Sequence, residues 1–274
     1  MTGRHCRGAL LFAPVWFVSA LMLAPASAEI AGCSGLGKPF AIAEAVGASD
    51  AITIRLAGGQ EVRLAGIDAP MDFSAASEHS RRAMAALNDL VAGRRVALHG
   101  VAEATDRYGR LIAQVTLTGT NTAWVQSELV RAGMARVAPA AGLPDCVTAL
   151  IGREKIARQL RAGLWGDGAL SVKEASATKT LLAGLGGFAV IEGTVLRVGE
   201  AGGRLFLDFG RRYSRDFSII VPREAQAGFA KAGLDLRGLS GKRVRARGVL
   251  FEQGGPAMEL RSPAALEVIR ADGA

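Results

Sequence analysis

Alternation of apolar and polar residues marks the first strands of this chain. Ile52, Ile54 and Leu56 fall on one face of an extended segment, with Thr53 and Arg55 on the other. Ala57-Gly58-Gly59-Gln60 has the composition of a hairpin turn, after which Val62 and Leu64 resume the alternation around Arg63. From Ser77 to Val91 the spacing becomes helical, with Met84, Leu87 and Val91 on one stripe and Gly93 just past the end. Leu111 to Leu117 reads as another strand. Two further helices are predicted, around Ala123 to Ala132 and Val147 to Ala162, stopped by Gly133 and Gly163. Strands first and helices interleaved later predict a small α+β barrel.

The stretch from Asp167 to Gly187 is rich in Ala, Gly, Ser and Thr without a strong period, and reads as a linker over 167–187. Beyond it, Phe188 to Val198, Gly203 to Phe209 and Asp216 to Val221 read as strands and Arg223 to Ala232 as a short helix. Gly241 to Phe251 and Ala257 to Arg261 read as two more strands. Three strands, a helix and two strands predict a second, OB-like β-barrel domain over 188–271.

Composition adds charge to this picture. The 274 residues carry a formal +8, with a sequence pI near 10.0, which favours polyanions or an anionic membrane surface as partners. Half the residues are apolar, enough for a core in each domain, while aromatics are scarce at 5%. Arg4 and Arg7, the apolar run from Ala9 to Leu23 and the small residues Ala26-Ser27-Ala28 fit a signal peptide over 1–28. That run is short for a membrane span. The mature chain is expected to begin with an extension over 29–39, to contain no membrane span, and to be exported, periplasmic or secreted. Cys6 leaves with the signal, so Cys33 and Cys146 are expected to pair in an oxidising compartment. Ile30-Ala31-Gly32-Cys33 also fits the pattern of a lipoprotein anchored at Cys33, although Pro25 and Glu29 interrupt the apolar run leading into it. Removing Arg4 and Arg7 leaves +6, of which residues 179–274, with 15 Lys/Arg against 10 Asp/Glu, carry +5.

Three separated segments carry a family resemblance. The first is Thr53-Ile54-Arg55-Leu56 with Arg63-Leu64-Ala65-Gly66-Ile67-Asp68-Ala69-Pro70. The second is Asp106-Arg107-Tyr108-Gly109-Arg110, leading into a strand. The third runs from Glu128 to Val137 and is followed by Gly163-Leu164-Trp165. In this order and spacing they resemble the staphylococcal nuclease (thermonuclease) family over about residues 40–166. The resemblance implies a five-stranded OB-type barrel with packed helices and calcium-dependent hydrolysis of DNA or RNA. It assigns Arg63 and Arg110 to stabilise charge on the phosphate, Arg107 and Tyr108 to contact phosphate and nucleotide, and Asp68 to bind metal, with the Ala69 carbonyl beside it.

The departures from the family pattern are as informative. Asp50-Ala51-Ile52-Thr53 puts Ile52 where the family has a metal-binding acid, and Met71 stands where it has the glutamate taken as general base. Pro139-Ala140-Ala141 lacks the family's base-stacking tyrosines. Asp50 lies two residues, about 6.6 Å, before one vacated position, and Asp72, one residue past the other, would face the opposite side of an extended segment. Hydrolysis is therefore expected to be lost or strongly weakened, since a general base alone contributes about 10²–10⁴ in rate. Calcium is expected to be doubtful on the same grounds. Two alternatives stand beside this reading: an active calcium-dependent endonuclease with a rearranged metal site, and a cell-envelope interaction protein with no nucleic-acid role. His79 and His99 are expected to be surface or structural residues, with no zinc spacing around them.

One local pattern in the second domain points to polyanions. In Lys242-Arg243-Val244-Arg245-Ala246-Arg247 the three arginines share one strand face, spaced at about 6.6–7 Å, near the phosphate step of an extended strand. Arg211, Arg212 and Arg215 would enlarge such a patch. Phe206, alternating with Arg204 and Asp208, is placed to stack on a base. A solvated basic face with an ordinary core phenylalanine is the plainer alternative.

Overall fold

The computed structural model describes residues 33, 36–70, 77–100, 104–120, 122–139 and 144–269. The expected signal peptide lies outside these residues, as do Met71, Asp72, Ala140 and Ala141.

The first part of the chain is a closed five-stranded barrel. Its strands are β1 (Ala41–Asp50), β2 (Thr53–Leu56), β3 (Glu61–Leu64), β5 (Arg94–His99) and β6 (Leu111–Leu117), in the order β1-β2-β3-β6-β5 with β5 returning to β1. All pairings are antiparallel except β3 with β6. A two-residue strand β4 (Ile67–Asp68) pairs with β7 (Arg136–Val137) outside the barrel. The helices are α1 (Glu78–Val91), α2 (Val125–Arg131) and α3 (Pro144–Gln159). Ser77 caps α1 by accepting from the Ser80 backbone N–H at 3.2 Å. The buried stripe of α1 is Ala83, Leu87 and Val91; Met84, expected on it, is 38% exposed.

The third motif segment has a steric reason. Gly133 and Gly163 both have positive φ, +69° and +51°, and each presses against the other's segment. A Cβ on Gly133 would collide with the Ala162 carbonyl, and one on Gly163 with the Ala132 carbonyl. Their contact lets the Leu164 N–H donate to the Gly133 carbonyl at 3.0 Å, which docks the end of α3 beside the end of α2.

Cys33 and Cys146 are disulfide-bonded, as expected, closing a sequence separation of 113 residues. Both are buried in the barrel's core with Leu36. The bond occupies the sulfur that acylation at Cys33 would need.

The stretch expected as a linker carries a short strand β8 (Lys173–Glu174) and a helix α4 (Thr178–Ala183). Ala175 and Leu181 already belong to a second hydrophobic core, separate from the first. Around that core run β9 (Phe188–Thr194), β10 (Arg197–Ala201), β11 (Arg204–Asp208), β12 (Ser218–Val221), the helix α5 (Arg223–Lys231), β13 (Arg243–Gln253), β14 (Gly255–Glu259) and β15 (Leu266–Val268). The single strand expected over Phe188–Val198 breaks at Val195-Leu196. Its first half pairs with β13 and its second half with β11. Counted as one broken strand, β9–β10 closes a circuit through β11, β12, β14 and β13, with β12 and β14 parallel. This is the strand order of the first barrel repeated, the parallel pair included.

Candidate nucleic-acid interface

The loop before β6 is built to present side chains. Gly109 takes φ +76° at its tip, and the Gly109 N–H donates to the Asp106 carbonyl at 3.0 Å. The Asp106 carboxylate accepts from the backbone N–H groups of Tyr108 and Arg110 at 2.9 and 3.1 Å, and from Arg110 Nε at 2.7 Å. Burial pushes the pKa of this carboxyl up, but these hydrogen bonds and the Arg110 charge more than offset it and hold it below its ordinary value. Tyr108 stands 67% exposed, with the guanidinium groups of Arg107 and Arg110 at 4.8 and 5.2 Å from its ring centroid. Arg107 also donates to the Tyr108 hydroxyl at 2.7 Å.

Arg110 reaches inward from this loop toward Thr53 Oγ1 at 3.4 Å and Asp50 Oδ2 at 3.5 Å. Arg63 is the cross-strand partner of Thr53. The fold therefore brings Arg63, Arg110 and Asp50 to one end of the barrel around Thr53. Position 52 contributes no oxygen there: the Ile52 side chain is fully buried, within the first core. The other oxygen of Asp50 accepts from the Ile52 backbone N–H at 2.8 Å.

Asp68 is fixed from two sides. The turn before it is held by Gln114 and Gln126, whose amides both donate to the Ala65 carbonyl, and by the Ala138 N–H donating to the Gly66 carbonyl. Its Oδ2 accepts from Arg136 Nε at 3.0 Å and from the same guanidinium's Nη2 at 2.8 Å. Arg136 continues across to the second domain, donating to the Phe188 carbonyl at 2.6 Å with its guanidinium 5.0 Å from the Phe188 ring centroid. Residues 61–167, which hold most of these groups, match the staphylococcal nuclease homologue family. That stretch is a nuclease-homologue domain by this match. A comparison with curated proteins found no match.

The nuclease-homologue family implies calcium, which takes six to eight oxygen ligands. The described residues do not fit it. Asp68 is committed to Arg136, Asp50 to a backbone N–H and Arg110, and Ile52 has no donor atom. Among the described residues, no three His, Cys, Asp or Glu side chains gather where they could hold a metal. His99, in this same domain, is structural: its ring bridges the Gly37 carbonyl and Thr116 Oγ1.

The arginine row of the second domain has partners that the sequence does not show. Val244 and Ala246 do face inward, and Arg243, Arg245 and Arg247 do share the opposite face. That face is ion-paired along its length, and it passes from exposed at Arg243 to buried at Arg247. Arg243 pairs with Glu174 and Glu192, Arg245 with Glu192 and Glu267, and Arg247 with Glu154 and Glu267. Arg247 is 1% exposed, and Glu154, from α3 of the nuclease-homologue domain, is wholly buried against it. Burial works against the Arg247 charge, yet the two glutamates more than offset it and hold its pKa above the ordinary value. The row therefore joins the two domains, and its charges are spent on glutamates. Phe206 is half-buried, as an outward residue, with the Arg204 guanidinium 5.8 Å from its ring centroid.

Between the domains lies a groove of about 960 Å³, lined by Arg63, Asp68, Arg136, Phe188, Phe251 and Arg261, among others. Arg136 and Glu154, which organise this joint, were not singled out in the sequence. Arg136 sits inside the third motif segment, but its bond to Asp68 runs between two strands of only two residues each, too short to show a period.

Proposed function

We propose that this is an exported protein of the nuclease-homologue family that binds DNA or RNA and hydrolyses it weakly or not at all. The observation that carries the reading is Asp68. The one acid that matches the family's metal ligands is engaged by Arg136, while position 52 is an apolar core residue. Among the described residues, the other assets of the barrel end are cationic and aromatic. Arg63, Arg107 and Arg110 offer charge to phosphate oxygens and Tyr108 offers an exposed ring to a base. Those are binding functions. They need no cation. The Cys33–Cys146 bond supports export, since disulfides persist in oxidising compartments.

The test is binding and cleavage of single- and double-stranded DNA and of RNA by the mature chain, in calcium and in EDTA. Binding in both, without cleavage, is the expected result. A doubly substituted chain, Ile52→Asp with Met71→Glu, is assayed beside it. Calcium-dependent cleavage by the unsubstituted chain would overturn the proposal in favour of a rearranged metal site. No binding to any nucleic acid at low salt would favour an envelope interaction protein.

A further inference from the structure

The Arg243–Arg247 row does not display the second domain's positive charge, which must emerge elsewhere. Six arginines of this domain are ion-paired with carboxylates: Arg197, Arg237, Arg243, Arg245, Arg247 and Arg261. Arg211, Arg212 and Arg215 form no ion pair among the described residues, and all three are exposed, on the loop between β11 and β12. Between them Tyr213 stands 73% exposed.

This loop is not a slack connection. The Asp216 carboxylate turns inward and accepts from the Arg212 backbone N–H at 2.9 Å. The Arg212 carbonyl accepts from the N–H groups of Arg215 and Asp216 at 2.9 and 2.8 Å. Three glycines allow close approach in and around it. A Cβ on Gly210 would collide with the Asp216 side chain, and one on Gly255 would meet the Arg215 carbonyl group at 2.6 Å. Gly254, at φ +80°, lies against the Tyr213 carbonyl. The loop's backbone is thus fixed by its own carboxylate and by the β13–β14 turn, while its four large side chains serve no core. Below it, Phe209 and Phe217 pack ring to ring at 5.1 Å, and Phe217 is fully buried. Glu252, on the neighbouring strand, forms no ion pair with the loop among the described residues.

We propose that the 211–215 loop is a single-stranded nucleic-acid contact, with Arg211, Arg212 and Arg215 on successive phosphates and Tyr213 stacked on a base. The proposal rests on the nucleic-acid reading above and places a second point of contact on the other domain. Charge alone would suit any polyanion. The aromatic ring set between arginines on a fixed backbone favours unpaired bases, whose faces a duplex hides. Pre-ordering matters too, because a rigid loop loses less entropy on binding than a flexible one.

The experiment is titration of a labelled oligothymidylate with the mature chain across a range of salt. Its variants are Arg211→Gln/Arg212→Gln/Arg215→Gln, Tyr213→Ala and Tyr213→Phe, all at exposed positions and checked by circular dichroism. A phosphate contact on a single strand contributes about −0.7 to the slope of log affinity against log salt, so the triple variant is expected to flatten that slope by about 2. Tyr213→Ala is expected to weaken binding about tenfold, and Tyr213→Phe to retain it. If the unsubstituted chain binds no oligonucleotide at low salt, the general nucleic-acid reading fails and this proposal with it. If the chain binds but the triple variant keeps the full slope while Arg63→Gln or Arg107→Gln loses affinity, only this proposal is overturned. It is overturned equally if the triple variant loses affinity for phosphatidylglycerol vesicles while oligonucleotide binding is indifferent to Tyr213→Ala.

Discussion

At the scale of single residues, the candidate site is one in which every acid has found a basic or backbone partner. Asp106 shows what this does to stability. Its carboxylate closes the Arg107–Arg110 loop through two backbone N–H groups and one guanidinium, and is only 15% exposed. Asp106→Ala leaves those donors unpaired and is expected to cost about 1–3 kcal/mol. The effect has a pH signature. The folded carboxyl titrates below its ordinary value, so the unfolded chain takes up its proton first as pH falls. The stabilisation is complete above the ordinary carboxylate range and disappears as pH falls through the folded value. Thermal melts of the two proteins should differ most near neutrality and converge as pH falls below the ordinary carboxylate range. A gap that stays constant with pH would mean that the charge of Asp106 is not what holds the loop. The motif residues were legible in the sequence at this scale, but what each one touches was not. Asp68 reads as a candidate ligand from its neighbours in the chain, and only the fold shows that Arg136 engages it.

Elements were legible where one face of a segment is buried and one is not. β6 spans Leu111–Leu117 as expected, and α1 begins at Glu78 directly after its capping serine. The failures have physical reasons. β1, ten residues long, alternates in burial from Ala41 to Val46, but alanines take its inward positions while Ile42 and Val46 face outward, so the sequence offers no period to read. β13 does alternate, but its outward face is covered by the first domain at Arg247, so polar composition there reports buried ion pairs rather than solvent. Elements held by close backbone approach yield a contrast that can be measured. Gly133 and Gly93 both have φ near +70°, yet a Cβ on Gly93 meets nothing within 4 Å whereas one on Gly133 strikes the Ala162 carbonyl. Gly93→Ala should cost about 1–2 kcal/mol, for the left-handed conformation alone. Gly133→Ala adds the collision and should cost clearly more, enough to separate the two in urea denaturation. Equal midpoints would show that the α2–α3 junction yields without strain.

For the molecule as a whole, two covalent or electrostatic ties decide how the parts unfold. The Cys33–Cys146 bond closes a loop long enough to restrict the unfolded chain by roughly 4–5 kcal/mol in the chain-entropy description. Reduction should therefore lower the melting temperature of the first domain, and Cys33→Ser/Cys146→Ser should reproduce the loss without added reductant. The second tie is the joint itself. Glu154 and Arg247 are both wholly buried, and their network extends through Glu267, Arg245, Glu192 and Arg158. Burial alone would push the Glu267 carboxyl up, but Arg247 and Arg245 hold it below its ordinary value. A buried pair of this kind is a weak source of net stability, but removing one partner strands the other at a cost of about 3–5 kcal/mol. Glu154→Gln and Arg247→Met should each be strongly destabilising, and the double variant less so than their sum. Because the pair spans both domains, its loss should also uncouple them. Calorimetry of the unsubstituted chain should give one transition, whereas Arg247→Met should give two, with the second domain melting apart from the disulfide-bonded barrel. Two transitions in both proteins would mean that the joint holds the domains side by side without making them fold as one.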